Sequence, residues 1–189
     1  MLNAVMLDLE TMGNGNNAAL VAIGAFKFDL HNPQPFEAIE EEQKFYRGVD
    51  LASCVRAGLE IDASTVIWWL KQSDAARSAI GAGIPLDLAL AHFTQFMAGA
   101  KFSLWGNGAT FDNVILRNAY NKLHLAAPWH YTDDSCYRTM KNQFGRAVGM
   151  NRVGTAHNAL DDAISQALHL QKIMAHIKGA GDPQTTFKI

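Results

Sequence analysis

Residues 3–11 read N-A-V-M-L-D-L-E-T, and the rest of the chain is read outward from them. Four apolar residues, Ala4 to Leu7, lead into Asp8 and Glu10, with Leu9 between. On a β-strand successive side chains alternate faces, so Asp8 and Glu10 point one way while Leu7 and Leu9 point into a core. Two neighbouring carboxylates repel, and joint ionisation is disfavoured unless a cation sits between them. The stretch therefore predicts a strand whose polar face holds a metal.

The chain has 189 residues, enough for one well-cored domain and too few for two ordinary ones. Its net charge of -2 excludes a protein that coats nucleic acid by bulk charge, while leaving room for a local basic patch. Cys54 and Cys136 form no CxxC and read as free thiols of a reducing compartment. Residues 1–10 carry no Lys or Arg, so no basic-then-apolar leader is expected. No apolar run is long enough to span a bilayer. The expected location is the cytoplasm, without a membrane role.

Strand 3–10 is followed by the turn 12–17 (M-G-N-G-N-N) and an antiparallel strand over 19–29. A third, exposed strand falls within 36–49, with Glu40, Glu41 and Glu42 as a solvated edge that discourages pairing. From Ala63 the period becomes helical through A-S-T-V-I-W-W-L-K-Q, with Ser64 as N-cap. A short helix over 73–82 opens at Ser73. Residues 86–97 form an amphipathic helix with Leu86, Leu90, Phe93 and Met97 on one stripe. A buried strand over 101–105 ends in Gly106-Asn107-Gly108 and feeds a helix over 110–122. A short strand at 129–132, a helix over 134–144, a Gly-rich loop over 145–156 and a long helix over 158–178 complete the order. Residues 1–178 thus form a single α/β domain, a mixed sheet flanked by helices, with a polar tail at 179–189.

Two further segments carry acids. Asp112, in N-G-A-T-F-D (107–112), lies in the first turns of a helix entered from the C-terminal end of a strand, where sites of α/β sheets gather. In H-N-A-L-D-D (157–162), His157 and Asp162 would stand roughly 140° apart on one helix. The workable placement puts His157 on the preceding loop, Asn158 at the N-cap and Asp162 in the first turns. An all-oxygen cluster of Asp8, Glu10, Asp112 and Asp162 suits Mg²⁺ or Mn²⁺ and not zinc. Two such ions about 3.5–4 Å apart serve phosphodiester displacement. A histidine beside them is a natural general base.

D-L-E-T, then N-x-x-x-F-D, then H-x-x-x-x-D, in this order, resembles the three motifs of the DEDDh 3′-5′ exonucleases, which include RNase T, oligoribonuclease and proofreading subunits. The resemblance covers Asp8 to Asp162. Thr65 to Ser73 (T-V-I-W-W-L-K-Q-S) looks like the bacterial and phage branch related to the exonuclease VIII C-terminal domain and RNase AS. The resemblance implies a ribonuclease H-like fold and two divalent ions. Asp8, Glu10 and Asp162 would be direct ligands, with Asp8 bridging. Asp112 would hold the second ion through water, and His157 would be the general base. The four-residue gap after His157 selects Asp162 over Asp161, which reads as a helix-start acid after Asn158. The implied activity is release of nucleoside 5′-monophosphates from the 3′ end of single-stranded DNA or RNA, and a homodimer is compatible with it.

Each residue also has a plainer reading. Asp112 could simply complement a helix dipole, and His157 could cap a helix. Trp68 and Trp69 lie about 100° apart on a helix, so one can be core while the other faces a cleft. Met12 could wedge against a terminal base or pack ordinarily. Thr11, Asn107 and Phe111 neighbour the acids and are candidate substrate contacts. Arg138, Lys141, Arg146 and Arg152 form an acid-free basic run that could track phosphates or be a solvated surface. Asp133 and Asp134 read as structural. The competing functions are a non-catalytic nucleic-acid-binding module and a hydrolase of short oligonucleotides or nucleotides.

Overall fold

The strand Ala4–Thr11 (β1) lies in the middle of a five-stranded sheet. The computed structural model describes residues 1–78, 80–81 and 83–180. β1 pairs antiparallel with Leu20–Phe28 (β2), and β2 with the edge strand Lys44–Gly48 (β3). On its other side β1 runs parallel to Ser103–Gly106 (β4), which runs parallel to Asp134–Cys136 (β5). The order β3-β2-β1-β4-β5 is the mixed sheet expected from the sequence.

The alternation in β1 divides the core. Val5, Leu7 and Leu9 pack with Leu86, Leu90 and Phe93 of Leu86–Met97, and with Ile115 and Leu116 of Asp112–Lys122. Ala4 and Met6 face the other way, onto Ala163, Ile164, Ala167 and Leu170 of the long helix Ala159–Ala180. Both faces of β1 are therefore covered, and Asp8 and Glu10 continue the face under the long helix.

In chain order the helices are α1 (Leu51–Arg56), α2 (Ala63–Leu70), α3 (Asp74–Arg77), α4 (Leu86–Met97), α5 (Asp112–Lys122), α6 (Tyr137–Phe144) and α7 (Ala159–Ala180). α4 has the bounds that its apolar stripe predicts, and Leu86, Leu90, Phe93 and Met97 are all buried. Ser73 caps α3 as expected, its side chain accepting from Ala76 N. No described helix is long and apolar enough to cross a membrane.

Several local expectations are corrected. α2 is capped by Asp62, which accepts from Ser64 N at 2.9 Å and also from the Ser64 hydroxyl, so Ser64 is inside the helix. α1 was not anticipated; Asp50 starts it by accepting from Ala52 N and Ser53 N. Glu40 to Glu42 are exposed but lie on and beside a 3₁₀ turn before β3, not on the strand. The short strand is not 129–132 but Asp134–Cys136, and the following helix starts at Tyr137. The cause is side-chain bonding. Asp134 accepts from Asn113 Nδ2 and Trp129 Nε1 and pairs with Arg117, which pins it beside β4. The helix expected over 73–82 runs only from Asp74 to Arg77, with turns at residues 78, 80 and 81; residues 79 and 82 lie outside the described residues, as do 181–189 of the expected tail. Residues 179 and 180 continue α7.

Candidate active site

β4 ends its pairing with β1 at Leu7 opposite Gly106, so the Leu9 amide has no strand partner on that side. Asp112, the first residue of α5, takes it: Oδ1 accepts from Leu9 N at 3.2 Å. The approach requires a glycine at 106, where a Cβ would lie 2.4 Å from Asn113 Oδ1 and 3.0 Å from Asp112 Cβ. The sequence thus brings α5 down onto the end of β1 and buries Asp112 behind Asp8 and Glu10.

α7 closes the cluster from the other side. Gly24 of β2 lies directly opposite Asp8, and a Cβ there would fall 2.1 Å from the Ala159 carbonyl carbon. Only a glycine lets the start of α7 sit this deep. Asn158 caps the helix, accepting from Leu160 N and Asp161 N. His157 precedes it in a left-handed conformation (φ 64°), unusual for a residue with a Cβ. Its backbone amide donates to Asp162 Oδ2 at 3.0 Å. Asp162 Oδ1 pairs with Arg152 at 2.6 Å. Asp161 turns away and accepts from Thr155 N, in keeping with its exclusion from the cluster. Ligand atoms of Glu10, His157 and Asp162 all lie within 4.8 Å of one another. The His157 ring stands edge-on to Trp68, with ring centres 5.2 Å apart.

The electrostatics of this arrangement favour a cation. Burial pushes the Glu10 carboxyl up to about 8, with Asp162 and Asp112 adding to the rise. Burial likewise raises Asp112 to about 7. Asp8 is raised well above the carboxylate range by burial, then by Asp112 and Glu10; a bond from Gln166 opposes this. Glu10 and Asp112 hold protons near neutrality chiefly because they are buried, a cost that a divalent ion among the carboxylates would offset. The gathered carboxylates, with the His157 imidazole beside them, are donors that suit a divalent cation.

A cavity of about 250 Å³ is lined by Asp8, Glu10, Asn107, Arg152, His157 and Asp162, together with Lys141 and Gln166. A second, of about 340 Å³, shares Glu10 and is lined by Thr11, Thr65, Trp68 and Trp69. Trp69 is buried and donates through Nε1 to the Thr11 carbonyl at 2.9 Å, while Trp68 is exposed. This is the division expected for adjacent tryptophans. Arg138 donates to the Asn107 carbonyl. Met12 is buried in the core cluster that also holds Ala18 and Trp69, and Phe111 packs half-buried against the same core. Neither is among the residues lining these two cavities. The ordinary-packing reading of Met12 is the one its position supports. Asp133 pairs with Lys101, and Asp134 with Arg117, both as structural acids. Gln166 was missed, although it stands four residues after Asp162 and so on the same helix face.

The chain matches the family model described as the 3′-5′ exoribonuclease Rv2179c-like domain over residues 3–174. It is 28% identical over 127 residues to an exodeoxyribonuclease of Enterobacteria phage T4, covering 66% of this chain and 45% of that protein. Among solved structures, E. coli exonuclease I in complex with a dA16 oligonucleotide superposes with a TM-score of 0.62 at 14% identity, over 93% of this chain and 41% of that one. Exonuclease I from Methylocaldum szegediense gives 0.62 at 12% identity, over 95% and 43%. The chain spans less than half the length of these relatives. The shared fold is the ribonuclease H-like one that the motifs imply. With D-L-E-T on the central strand and H-x-x-x-x-D at the start of α7, and with nearly the whole chain matched, the protein belongs to the 3′-5′ exoribonuclease Rv2179c-like domain family, of the DEDDh exonuclease type.

Proposed function

We propose that the chain is a divalent-metal-dependent exonuclease that releases nucleoside 5′-monophosphates from the 3′ end of single-stranded nucleic acid. The observation that carries this reading is one cavity lined by Asp8, Glu10, Asp162 and His157, with Asp112 bonded to β1 behind them. Asp8, Glu10 and Asp162 would hold the ions, with Asp112 supporting the second. Two Mg²⁺ or Mn²⁺ ions would stabilise charge on the phosphate and the departing 3′-oxygen and would acidify the attacking water.

The protein's own groups do the rest. His157 accepts the proton of the water as it attacks phosphorus. The imidazolium formed is stabilised by the nearby Glu10 and Asp162 carboxylates. As the new O–P bond forms, the P–O3′ bond breaks. Arg152 and Lys141, in the cavity wall, balance phosphate charge. The adjoining cavity at Thr11, Trp68 and Trp69 receives the terminal nucleoside, where stacking on the exposed Trp68 contributes about 1–3 kcal/mol. The oligonucleotide bound to E. coli exonuclease I supports a single-stranded substrate.

The test is incubation with 5′-labelled single-stranded RNA and DNA of one sequence in Mg²⁺, Mn²⁺ or EDTA, beside His157→Ala. A ladder that shortens from the 3′ end, and disappears with EDTA and with the variant, is the expected result. The faster strand identifies the sugar. No shortening of either strand would overturn the proposal.

A further inference from the structure

We propose that Gln166 is a positioning residue that fixes the Asp8 carboxylate for metal binding, a proposal that rests on the metal-binding reading of the acidic cavity. Gln166 lies one turn beyond Asp162 on α7, so both side chains leave the helix toward β1. It is 5% exposed, and its Nε2 donates to Asp8 Oδ1 at 2.7 Å across 158 residues of chain. Among the described residues no other side chain donates to Asp8. A carboxylate that binds a cation is ionised and can only accept, so in the metal-bound state the amide must present its nitrogen to Asp8.

The other end is left unsatisfied. Gln166 Oε1 is buried with no hydrogen-bond partner. Its neighbours on α7 are the core residues Ala163, Ala167 and Leu170. A leucine or methionine there would avoid the buried lone Oε1 and would give up nothing but the bond to Asp8. Packing therefore does not account for the amide, whereas the contact made by its nitrogen does. The bond holds one oxygen of Asp8, restricts rotation of the carboxylate and leaves Oδ2 for a cation. The depth of α7, set by Gly24 against Ala159, brings the amide within reach.

The experiment titrates Mn²⁺ alone into the full chain and follows the free ion by its paramagnetic resonance, for wild type, Gln166→Leu and Gln166→Met. Thermal melts in EDTA run alongside. The expected result is a Mn²⁺ dissociation constant raised about 10- to 100-fold in both variants, with a melting temperature close to that of wild type, because the lost bond to Asp8 and the relieved Oε1 offset each other. Turnover of the variants should recover as Mn²⁺ is raised. Unchanged Mn²⁺ affinity, with or without a lower melting temperature, would overturn the proposal while leaving the metal reading intact. If neither variant folds, the amide holds the fold rather than Asp8, and the proposal fails. Wild-type protein that takes up no Mn²⁺ would overturn both.

Discussion

Arg152 and Asp162 form an ion pair of 2.6 Å in the wall of the acidic cavity. A guanidinium thus occupies one oxygen of a residue proposed to bind metal. Exposed pairs of this kind are worth about 0.2–1 kcal/mol, and Arg152 is largely exposed. Arg152→Met should therefore tighten Mn²⁺ binding by about 1.5- to 5-fold while raising KM for oligonucleotide, because a phosphate contact is lost. Calorimetric titration beside steady-state kinetics checks both, and weaker Mn²⁺ binding by the variant would contradict the competition.

Asp8→Asn keeps the size of the side chain and can still accept from Gln166, but removes one of the mutually repelling carboxylates. Turnover should vanish. The metal-free protein should become more stable by about 1 kcal/mol, or about 2–4 °C in melting temperature. A variant less stable than wild type in EDTA would show that Asp8 supports the fold and does not strain it.

Stability of the metal-free protein should fall as pH rises from 7 to 9. Glu10 at about 8 and Asp112 at about 7 lie far above ordinary carboxylates, so the folded protein binds more protons than the unfolded chain in this window. Unfolding free energy then decreases with pH, by at least about 1 kcal/mol across the interval. His169 acts oppositely, since burial lowers its pKa, but an unfolded histidine has lost its proton above about pH 6.5. Asp29 is held below the usual range by the N-terminal ammonium and Asn32, and its contribution is complete throughout. Melting curves in EDTA should show the decline, and saturating Mg²⁺ should reduce it, leaving the smaller part due to the buried Cys54 thiol, which burial raises to about 11. A flat profile in EDTA would mean that the acids are not buried as described.

Gly24→Ala would drive a Cβ into the backbone of Ala159, which cannot swing aside as a side chain could. The expected cost is about 2–3 kcal/mol or more, together with loss of activity as α7 lifts from Asp8. Gly15→Ala, which meets nothing within 4 Å, is the matched control and should be nearly neutral. Denaturant melts of the two variants separate these outcomes.

The legible parts of the chain were those governed by local periodicity or by chemistry at fixed spacing. β1 shows as alternation, α4 as an apolar stripe and Asn158 as a cap, and each lies where its residues put it. That Asp8, Glu10, His157 and Asp162 meet at one cavity was legible from the order and spacing of the motifs. What local reading missed was set by distant partners. Asp134 joins the sheet because Asn113, Arg117 and Trp129 hold it, and none of these bonds shows in its own neighbourhood. Gln166 looks like any polar residue on a helix until β1 is placed beneath it. Met12 follows the motif directly but turns into the core, next to the register shift after Glu10.

The acids and the base stand on parts of the molecule with different resistance to opening. β1 is bonded on both sides, and its amides should be among the slowest in the chain to exchange with solvent. His157 sits at the end of a largely exposed segment with left-handed turns at Gly149, Gly154 and His157 itself. Local unfolding of that segment would remove the proton acceptor and leave the carboxylates assembled. On warming, catalysis should then fail several degrees before the sheet melts, and the protein should keep its metal after it has lost its rate.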